Sequence, residues 1–90
     1  MRTPLYPRQF ERDLRKAAKR GKNLEKLKII VRTLIAGWKL DPLHRDHQLV
    51  GNYVGRRECH IEGDWLLIYK IEEERIIFER TGSHADLFKK

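Results

Sequence analysis

Histidines and one aspartate are the residues of this chain best suited to chemistry. His60 and Asp64 stand four residues apart in RRECHIEGDWLLIYK, residues 56–70, with Gly63 just before the aspartate. Cleavage of RNA by its own 2′-hydroxyl requires a base, an acid for the departing 5′-oxygen, and positive charge near the phosphorane; histidine suits either proton transfer because its pKa lies near neutrality. Asp64 could act as a base or hold an imidazole in one tautomer. Arg80 and any protonated histidine could stabilise the phosphate charge.

The turn between two predicted strands decides whether these two side chains meet. If the turn is Glu62-Gly63 alone, His60 and Asp64 face opposite sides of the hairpin. If the loop has three residues, 61–63, His60 pairs with Asp64 on one face, with Cβ atoms about 4.5–5.5 Å apart. A three-residue loop typically has glycine in its last position. Gly63 occupies that position, so the sequence slightly favours the longer loop.

The four histidines also raise the question of a metal site. The candidate ligands fall into no CxxC or HExxH pattern. Cys59 and His60 are neighbours on a predicted strand, so their side chains point to opposite faces. We therefore expect no metal and no cofactor. The ligands considered are His44, His47, Cys59, His60, Asp64 and His84.

Two helices are predicted in the N-terminal half. Residues 8–20 carry apolar side chains at steps of three to four with basic residues between them, which indicates an amphipathic helix. Gly21 suits the position after its end. Asn23 can cap a second helix, Gly37 ends it, and Pro42 prevents its resumption. The apolar stripe of this second helix consists of Leu24, Leu27, Ile30, Val31, Leu34 and Ile35.

The remaining segments predict a small sheet. Residues 2–7 could form an edge strand that contains Pro4 and Pro7. After residue 48, LVGNYVG and RRECHI read as short strands, followed by DWLLIYKI and RIIFERT with EEE between them. Ser83 can cap one final helical turn. This order predicts an α+β fold, an antiparallel meander with both helices on one face, as a single domain over residues 1–90.

Size and composition exclude several classes of protein. Ninety residues allow one compact domain. The N-terminal MRTPLYPRQF lacks the apolar core of a signal peptide, and the longest apolar run, Trp65–Tyr69, is far too short to span a membrane. The single Cys59 excludes an internal disulfide. We therefore expect a cytoplasmic protein without a membrane partner.

The net charge of +7 is unevenly distributed. Residues 1–45 contain thirteen Lys and Arg against four Asp and Glu, a net charge of +9, whereas residues 46–90 contain seven against nine, a net charge of −2. Such a cationic surface attracts phosphate backbones, although a solvated helix face is the simpler alternative. The residues predicted to contact RNA or the ribosome are Lys16, Lys19, Arg20, Lys22 and Arg80.

Three ordered motifs resemble one family of bacterial toxins. DHQLVGNYVGRRECHIEGDWLLIYKI and FERTGSHADLF resemble the YafQ branch of the RelE superfamily, toxins that cut messenger RNA on the ribosome. The most specific runs are H-x-L-x-G, H-[IV]-x-x-D-W and R-T-G-[ST]-H-x-x-L-F. FERDLRKAAKRGKNLEKL is similar to the first two helices of that family. Other RelE-type toxins use Lys, Arg and Tyr where this branch uses histidines.

The resemblance implies a fold, an activity and a set of active residues. It implies a small twisted antiparallel sheet with two helices on one face, cleavage of mRNA in the ribosomal A site, and neutralisation by a cognate antitoxin. His84 is favoured as the acid, and Asp64 or His60 as the base. Phe88 either anchors the last turn or orients an mRNA base; His44 and Cys59 match no role. The implied catalytic positions are His47, His60, Asp64, His84 and Phe88.

Two other functions are compatible with the same residues. The chain could be a non-catalytic module that binds RNA or the ribosome through its basic helices. It could also be a toxin with a different target, which would arrest growth while mRNA stays intact. Cleavage of mRNA in a translating extract, with and without ribosomes, distinguishes these hypotheses.

Overall fold

The N-terminal half forms two helices at the predicted positions. In the computed structural model of the chain, which describes residues 1–88, α1 spans Arg8–Lys19 and α2 spans Leu24–Ile35. Asn23 caps α2 because its side-chain oxygen accepts the backbone N–H of Glu25 at 3.0 Å. Gly21 adopts a left-handed φ of +79° in the connection. No helix within residues 1–88 has the length and apolar character needed to cross a bilayer.

Within residues 1–88, five strands form one sheet. The strands are β1 (Thr3–Leu5), β2 (His47–Gln48), β3 (Arg57–Glu62), β4 (Trp65–Glu72) and β5 (Arg75–Gly82), in the spatial order β1-β5-β4-β3-β2. The predicted α+β class is confirmed, and β1 is an edge strand as expected. The sheet is mixed, however, because β1 pairs in parallel with β5, whereas all other pairs are antiparallel.

The predicted strand in LVGNYVG is wrong. Residues Gly51–Tyr53 form a 3₁₀ turn, and only His47–Gln48 pairs with β3 in this region. Gly51 and Gly55 have φ of +71° and +86°, which break an extended conformation. A second 3₁₀ turn, Pro42–His44, lies in the loop after α2.

The β3–β4 hairpin differs from both predicted turns. His60 pairs with Leu66 and Glu62 with Trp65, so Ile61 is an extra residue in β3, a bulge. The turn consists of Gly63 and Asp64, with Gly63 at φ +42°. The predicted cross-strand pairing of His60 with Asp64 is therefore wrong, because the bulge lets Ile61 enter the core and places Asp64 at the tip.

The two faces of the sheet are covered differently. The larger core lies under α1 and α2 and includes Phe10, Leu27, Ile30, Leu34, Cys59, Ile61, Trp65, Leu67, Tyr69, Ile76 and Phe78. A smaller cluster combines buried Leu66, Ile68 and Leu87 with Leu49, Tyr53 and Phe88. The final helix α3 (His84–Leu87) contributes Leu87 to this smaller cluster, with the predicted Ser83 at its N-cap. Side chains alternate along β3, so Glu58 and His60 lie on the face opposite Cys59 and Ile61.

Candidate active site

A buried carboxylate joins two histidines on neighbouring strands. Glu58 is directly opposite His47 in the β2–β3 pair and two residues from His60 in β3. Its Oε1 lies 3.1 Å from His47 Nε2 and 3.5 Å from His60 Nε2. The exposed fractions of the side chains are 5% for Glu58, 20% for His60 and 50% for His47. We call these three residues the His-Glu-His cluster.

Backbone carbonyls orient both rings of the cluster. His47 Nδ1 lies 3.0 Å from the Gln48 oxygen, and His60 Nδ1 lies 3.3 Å from the Gly63 oxygen. A carbonyl oxygen only accepts, so each Nδ1 carries the proton in these contacts. In the neutral tautomer each Nε2 then presents a lone pair towards the Glu58 carboxylate. The cluster can therefore hold positive charge between its three atoms, as protons on the rings or as a metal ion.

A second carboxylate holds the histidine at the start of α3. Ser83 and Asp86 form a reciprocal capping box, which fixes the orientation of α3. Asp64 Oδ1 accepts the His84 backbone N–H at 3.0 Å and its ring Nδ1–H at 2.5 Å. These two donors, the backbone amide first, lower the pKa of the Asp64 carboxyl. Asp64 is thereby kept ionised, and the ring of His84, 56% exposed, keeps its Nε2 available for another hydrogen bond.

The predicted catalytic residues lie together on one exposed surface. The ring centroids of His60 and His84 are 5.9 Å apart, and those of His84 and Phe88 are also 5.9 Å apart. His47 joins the same surface through Glu58. Asp64 therefore meets His84 and not, as predicted, His60 across the hairpin. The structure brings all five residues together, although their roles stay predictions.

The contacts of Phe88 are those that the first of its two alternatives, an anchor for the last turn, requires. It packs against the smaller apolar cluster, and its ring makes an edge contact with Tyr53 at 5.4 Å between centroids. The Tyr53 hydroxyl donates to the Leu87 carbonyl at 3.1 Å. Phe88 therefore anchors the last turn and at the same time borders the His84 ring.

Most of the predicted RNA-binding residues line one cleft. A cavity of about 540 Å³ between α1 and the end of β5 is bordered by Lys16, Arg20, Lys22, Arg80 and Asp64. Arg20 contacts Asp86 at 2.6 Å, Lys16 contacts Asp86 at 3.3 Å, and Arg80 contacts Asp13 at 2.8 Å. The hydrogen bond from Arg20, followed by that from the Ser83 backbone, holds the pKa of Asp86 far below its ordinary value. Lys19 is exposed on α1 and does not border this cleft.

The structure shows surroundings for Glu58, His44 and Cys59 that residue spacing in the sequence did not predict. Glu58 was not considered, although the alternation E-C-H on a strand places it on the same face as His60. His44 Nδ1 lies 2.7 Å from the His60 carbonyl oxygen, so it supports β3 from the preceding loop. Cys59 is fully buried on the core face, and burial raises the pKa of its thiol. Burial on the core face thus makes Cys59 unsuited to nucleophilic chemistry.

Comparisons of sequence identify similar toxins. A family model described as "Bacterial toxin of type II toxin-antitoxin system, YafQ" matches residues 2–89. The mRNA interferase toxin YafQ of Escherichia coli K12 is 43% identical over 84 residues, which cover 92% of this chain and 91% of that protein. The similarity therefore includes both the basic helices and the histidine-containing strands.

Solved structures agree with the sequence comparisons. A crystal structure of YafQ from E. coli BL21(DE3) has a TM-score of 0.93 at 40% identity and covers 98% of this chain and 99% of that chain. The toxin-like chain of an E. coli DinJ-YafQ complex has a TM-score of 0.91 at 42% identity, with the same coverage. A copper-bound mutant toxin from Helicobacter pylori has a TM-score of 0.93 at 34% identity, covering 98% of this chain and 100% of that chain.

Proposed function

Because the chain belongs to the YafQ family of toxins of type II toxin–antitoxin systems, we propose that it is an endoribonuclease that cleaves mRNA in the ribosomal A site. Its E. coli relative is named an mRNA interferase. The observation that carries the proposal is the Asp64–His84 pair, which has a free ring nitrogen and lies beside His60. This arrangement supplies an orienting carboxylate and two groups for proton transfer.

The contacts favour one assignment of the acid and the base. Asp64 already accepts two N–H groups, and its lowered pKa makes it a weak proton acceptor. It is therefore better suited to orient His84 than to take the 2′-hydroxyl proton. His84 Nε2, in the protonated ring, donates to the departing 5′-oxygen, and His60 takes the 2′-hydroxyl proton. The O2′–P bond forms as the P–O5′ bond breaks, which leaves a 2′,3′-cyclic phosphate.

Neighbouring side chains stabilise the negative charge of the phosphorane and position the mRNA. His47 is half-exposed beside His60 and contacts the phosphorane when it is protonated. Arg80 borders the adjoining cleft and, while paired with Asp13, offers hydrogen-bond donors but little free charge to the flanking phosphate. Phe88 offers the exposed edge of its ring to an mRNA base. These side chains supply acid, base and charge, so the proposed chemistry is metal-independent and needs no cofactor.

The distribution of charge favours a ribosome-dependent reaction. Lys16, Arg20 and Arg80 near the site are each paired with an acidic residue. The proposed active site is thus poorly equipped to retain free mRNA by charge alone. The basic helices bind rRNA in the cytoplasm, while the ribosome presents the mRNA to the histidines. A cognate antitoxin is the protein partner, by analogy with the DinJ-YafQ complex.

Cleavage of a defined mRNA by the purified protein tests the function. We expect cuts at programmed A-site codons when 70S ribosomes are present, 5′-hydroxyl ends on the downstream fragments, and little cutting of free mRNA. Treatment of the toxin with EDTA, followed by removal of the chelator before the ribosomes are added, should leave the rate unchanged. Equal codon-selective cutting of free mRNA would contradict ribosome dependence. Ribosome binding without cleavage would favour the binding module, and growth arrest with intact mRNA would favour another target.

A further inference from the structure

We propose that a pocket between α2 and the β3–β4 hairpin binds the base of the mRNA nucleotide immediately 5′ to the cut, and that His44 selects that base. The assignment rests on the proposed function, because it takes His60 as the group that receives the 2′-hydroxyl proton. The pocket has a volume of about 620 Å³. Sites for small ligands usually have volumes of about 300–1,000 Å³, so a nucleotide fits this space.

The position of the pocket determines which nucleotide it receives. The pocket and the cleft beside α1 share no lining residue and meet at the hairpin tip, where Gly63 borders the pocket and Asp64 borders the cleft. His60 lines the pocket, and Ser83, next to His84, lines the cleft. In the proposed reaction His60 acts at the 2′-hydroxyl and His84 at the departing 5′-oxygen. The nucleotide with the 2′-hydroxyl therefore lies at the pocket, and the downstream strand continues towards the cleft.

The walls of the pocket suit a base. Ile29 and Leu43 are large apolar side chains that stay 60% and 77% exposed, and they line the pocket together with buried Ile30 and Ile61. Proteins that bind single-stranded RNA hold unstacked bases against apolar or aromatic side chains and read the base edges with a few polar groups. A base in this pocket would cover apolar surface that the fold leaves in water.

Arg45 places a cation at the same pocket. Its backbone is left-handed, with φ +48° and ψ +47°, a conformation that residues other than glycine rarely adopt. No ion pair within residues 1–88 includes its exposed guanidinium, whereas Lys26, which also lines the pocket, pairs with Glu62 at 2.6 Å. Arg45 is therefore available to a phosphate of the bound nucleotide. Such a contact accounts for an arginine where the backbone favours glycine.

His44 supplies the acceptor that selects the base. Its Nδ1–H donates to the His60 carbonyl oxygen at 2.7 Å, which leaves a lone pair on Nε2 of the neutral ring. His44 lines the pocket, and within residues 1–88 no donor contacts that nitrogen. Adenine and cytosine carry amino groups at N6 and N4, where uracil carries an acceptor oxygen. An acceptor at this place therefore favours adenine or cytosine over uracil.

Removal of one amino group from the mRNA tests the role of His44. The substrate is a programmed ribosome with adenosine immediately 5′ to the cut. Purine riboside, which lacks the amino group, should be cut about three- to tenfold more slowly, the usual contribution of one hydrogen bond. His44→Leu should abolish this difference between the two substrates. Loss of support for β3 alone would slow both substrates equally, so the ratio of their rates reports on base selection.

An abasic nucleotide at the same position tests occupancy of the pocket with wild-type protein. It should slow cleavage about tenfold, because contacts with a base contribute roughly that much. Leu43→Ala should reduce the rate on the adenosine substrate and leave the rate on the abasic substrate unchanged. Val50→Ala, which shortens another exposed apolar side chain outside the pocket, should leave both rates unchanged. The wild-type comparison decides the proposal even if a variant fails to fold.

A charge variant with a matched control tests the phosphate contact. Arg45→Asn should slow cleavage at least about threefold, since a hydrogen bond to a charged group contributes more than a neutral one. The variant should stay folded, because asparagine tolerates the left-handed conformation. Lys39→Asn removes the same charge from an exposed position in the preceding loop and should cleave like wild type.

Three results would overturn the proposal. Equal cleavage of adenosine and abasic substrates would mean that no base enters the pocket. An unchanged preference for adenosine over purine riboside in His44→Leu would remove His44 as the selecting residue. Loss of antitoxin binding with unchanged cleavage in Leu43→Ala would assign the pocket to the protein partner.

A binding measurement separates the pocket from catalysis. The probe is a dinucleotide of 2′-O-methyladenosine and uridine, which cannot be cut because its 2′-oxygen carries no proton. Methyl NMR signals of Ile29 and Leu43 should shift with the probe, whereas those of Leu14 and Val31, in the groove between α1 and α2, should not. These shifts in a protein that cuts no mRNA would refute the nuclease function and support a nucleotide site. Cleavage on ribosomes without these shifts or an abasic effect would refute the pocket alone.

Discussion

Carboxylates contact nitrogen-containing side chains both on the histidine-containing surface and in the basic cleft, but the two kinds of pair have different consequences. Glu58 and Asp64 contact imidazoles, a chemical group that can either take up or give up a proton. Asp13 and Asp86 contact Arg80, Lys16 and Arg20, whose side chains serve as hydrogen-bond donors only. A carboxylate beside histidine can therefore take part in proton transfer. A carboxylate beside arginine or lysine organises the fold and reduces the free positive charge.

Substitutions on the two surfaces are therefore expected to have different effects, one on the rate of mRNA cleavage and the other on the free energy of unfolding. Substitutions of His47, Asp64 and His84 should reduce cleavage and leave unfolding almost unchanged, since these side chains are at least half exposed. Substitutions at the cleft should alter the free energy of unfolding or the affinity for ribosomes.

The largest expected effect is the loss of cleavage in Asp64→Ala and His84→Ala. General acid–base groups contribute about 10²–10⁴-fold to a rate. The two residues share a hydrogen bond, so they should act as a unit, and the double variant should be scarcely slower than the worse single variant. The rate is measured on programmed ribosomes, with circular dichroism and antitoxin binding as checks on folding.

Either of two results would contradict a catalytic role for Asp64 or His84. Near-wild-type cleavage by one single variant would remove that residue from the mechanism. Loss of cleavage together with loss of the folded signal would mean that the Asp64–His84 pair is structural, like the pairs in the cleft.

Asp86→Asn should affect stability instead. Asp86 completes the capping box of α3 and accepts hydrogen bonds from Arg20 and Lys16, so its loss should cost about 1 kcal/mol at pH 7. Its folded-state pKa is lowered, so its contribution is complete above the unfolded value of about 3.9 and is lost as pH falls towards the folded value. Urea unfolding of the variant should therefore change less with pH below about 4 than that of wild type.

The control for this experiment is Glu74→Gln, in the exposed β4–β5 turn. It removes one carboxylate without touching α3 and should unfold like wild type at both pH values. If Asp86→Asn also unfolds like wild type, the contacts of Asp86 with α1 contribute no measurable stability.

Local features of the sequence were sufficient to predict α1, α2 and α3. Asn23 and Ser83 cap helices where predicted, because a capping side chain acts on backbone amides only two or three residues away. The EEE segment likewise contains the turn between β4 and β5. These elements depend on contacts within a few residues, which spacing and residue type reveal.

Features that depend on distant contacts were not predicted. The β3–β4 register results from burial of Ile61 beneath the helices, and hairpin length alone does not reveal that bulge. The parallel pairing of β1 joins residues about seventy positions apart. Asp64 was selected as a site residue, but its partner His84 lies on α3 and not on the facing strand. Glu58 was overlooked because its contact with His47 depends on the pairing of β2 with β3.

The smallest expected effect concerns the lysines of the inter-helix region. The residues predicted to contact RNA or the ribosome include Lys16 and Arg20. Both contact Asp86, so their removal would also disturb α3. Substitution of Lys19 and Lys22 tests ribosome binding without disturbing α3. Lys19 is exposed, and Lys22 lies 5.8 Å above the Trp65 ring. Lys19→Gln/Lys22→Gln should change stability by no more than about 0.5 kcal/mol. It should weaken ribosome binding and reduce the slope of log affinity against log salt concentration by about 1.4.

A matched double variant tests whether position or total charge matters for this binding. Lys28→Gln/Lys39→Gln removes the same charge from exposed positions on α2 and the following loop. If Lys19 and Lys22 contact rRNA phosphates, only their removal should change the salt slope by that amount. Equal losses in both variants would mean that the ribosome responds to total charge. The basic surface would then act through its overall field, because long-range attraction does not require particular contacts.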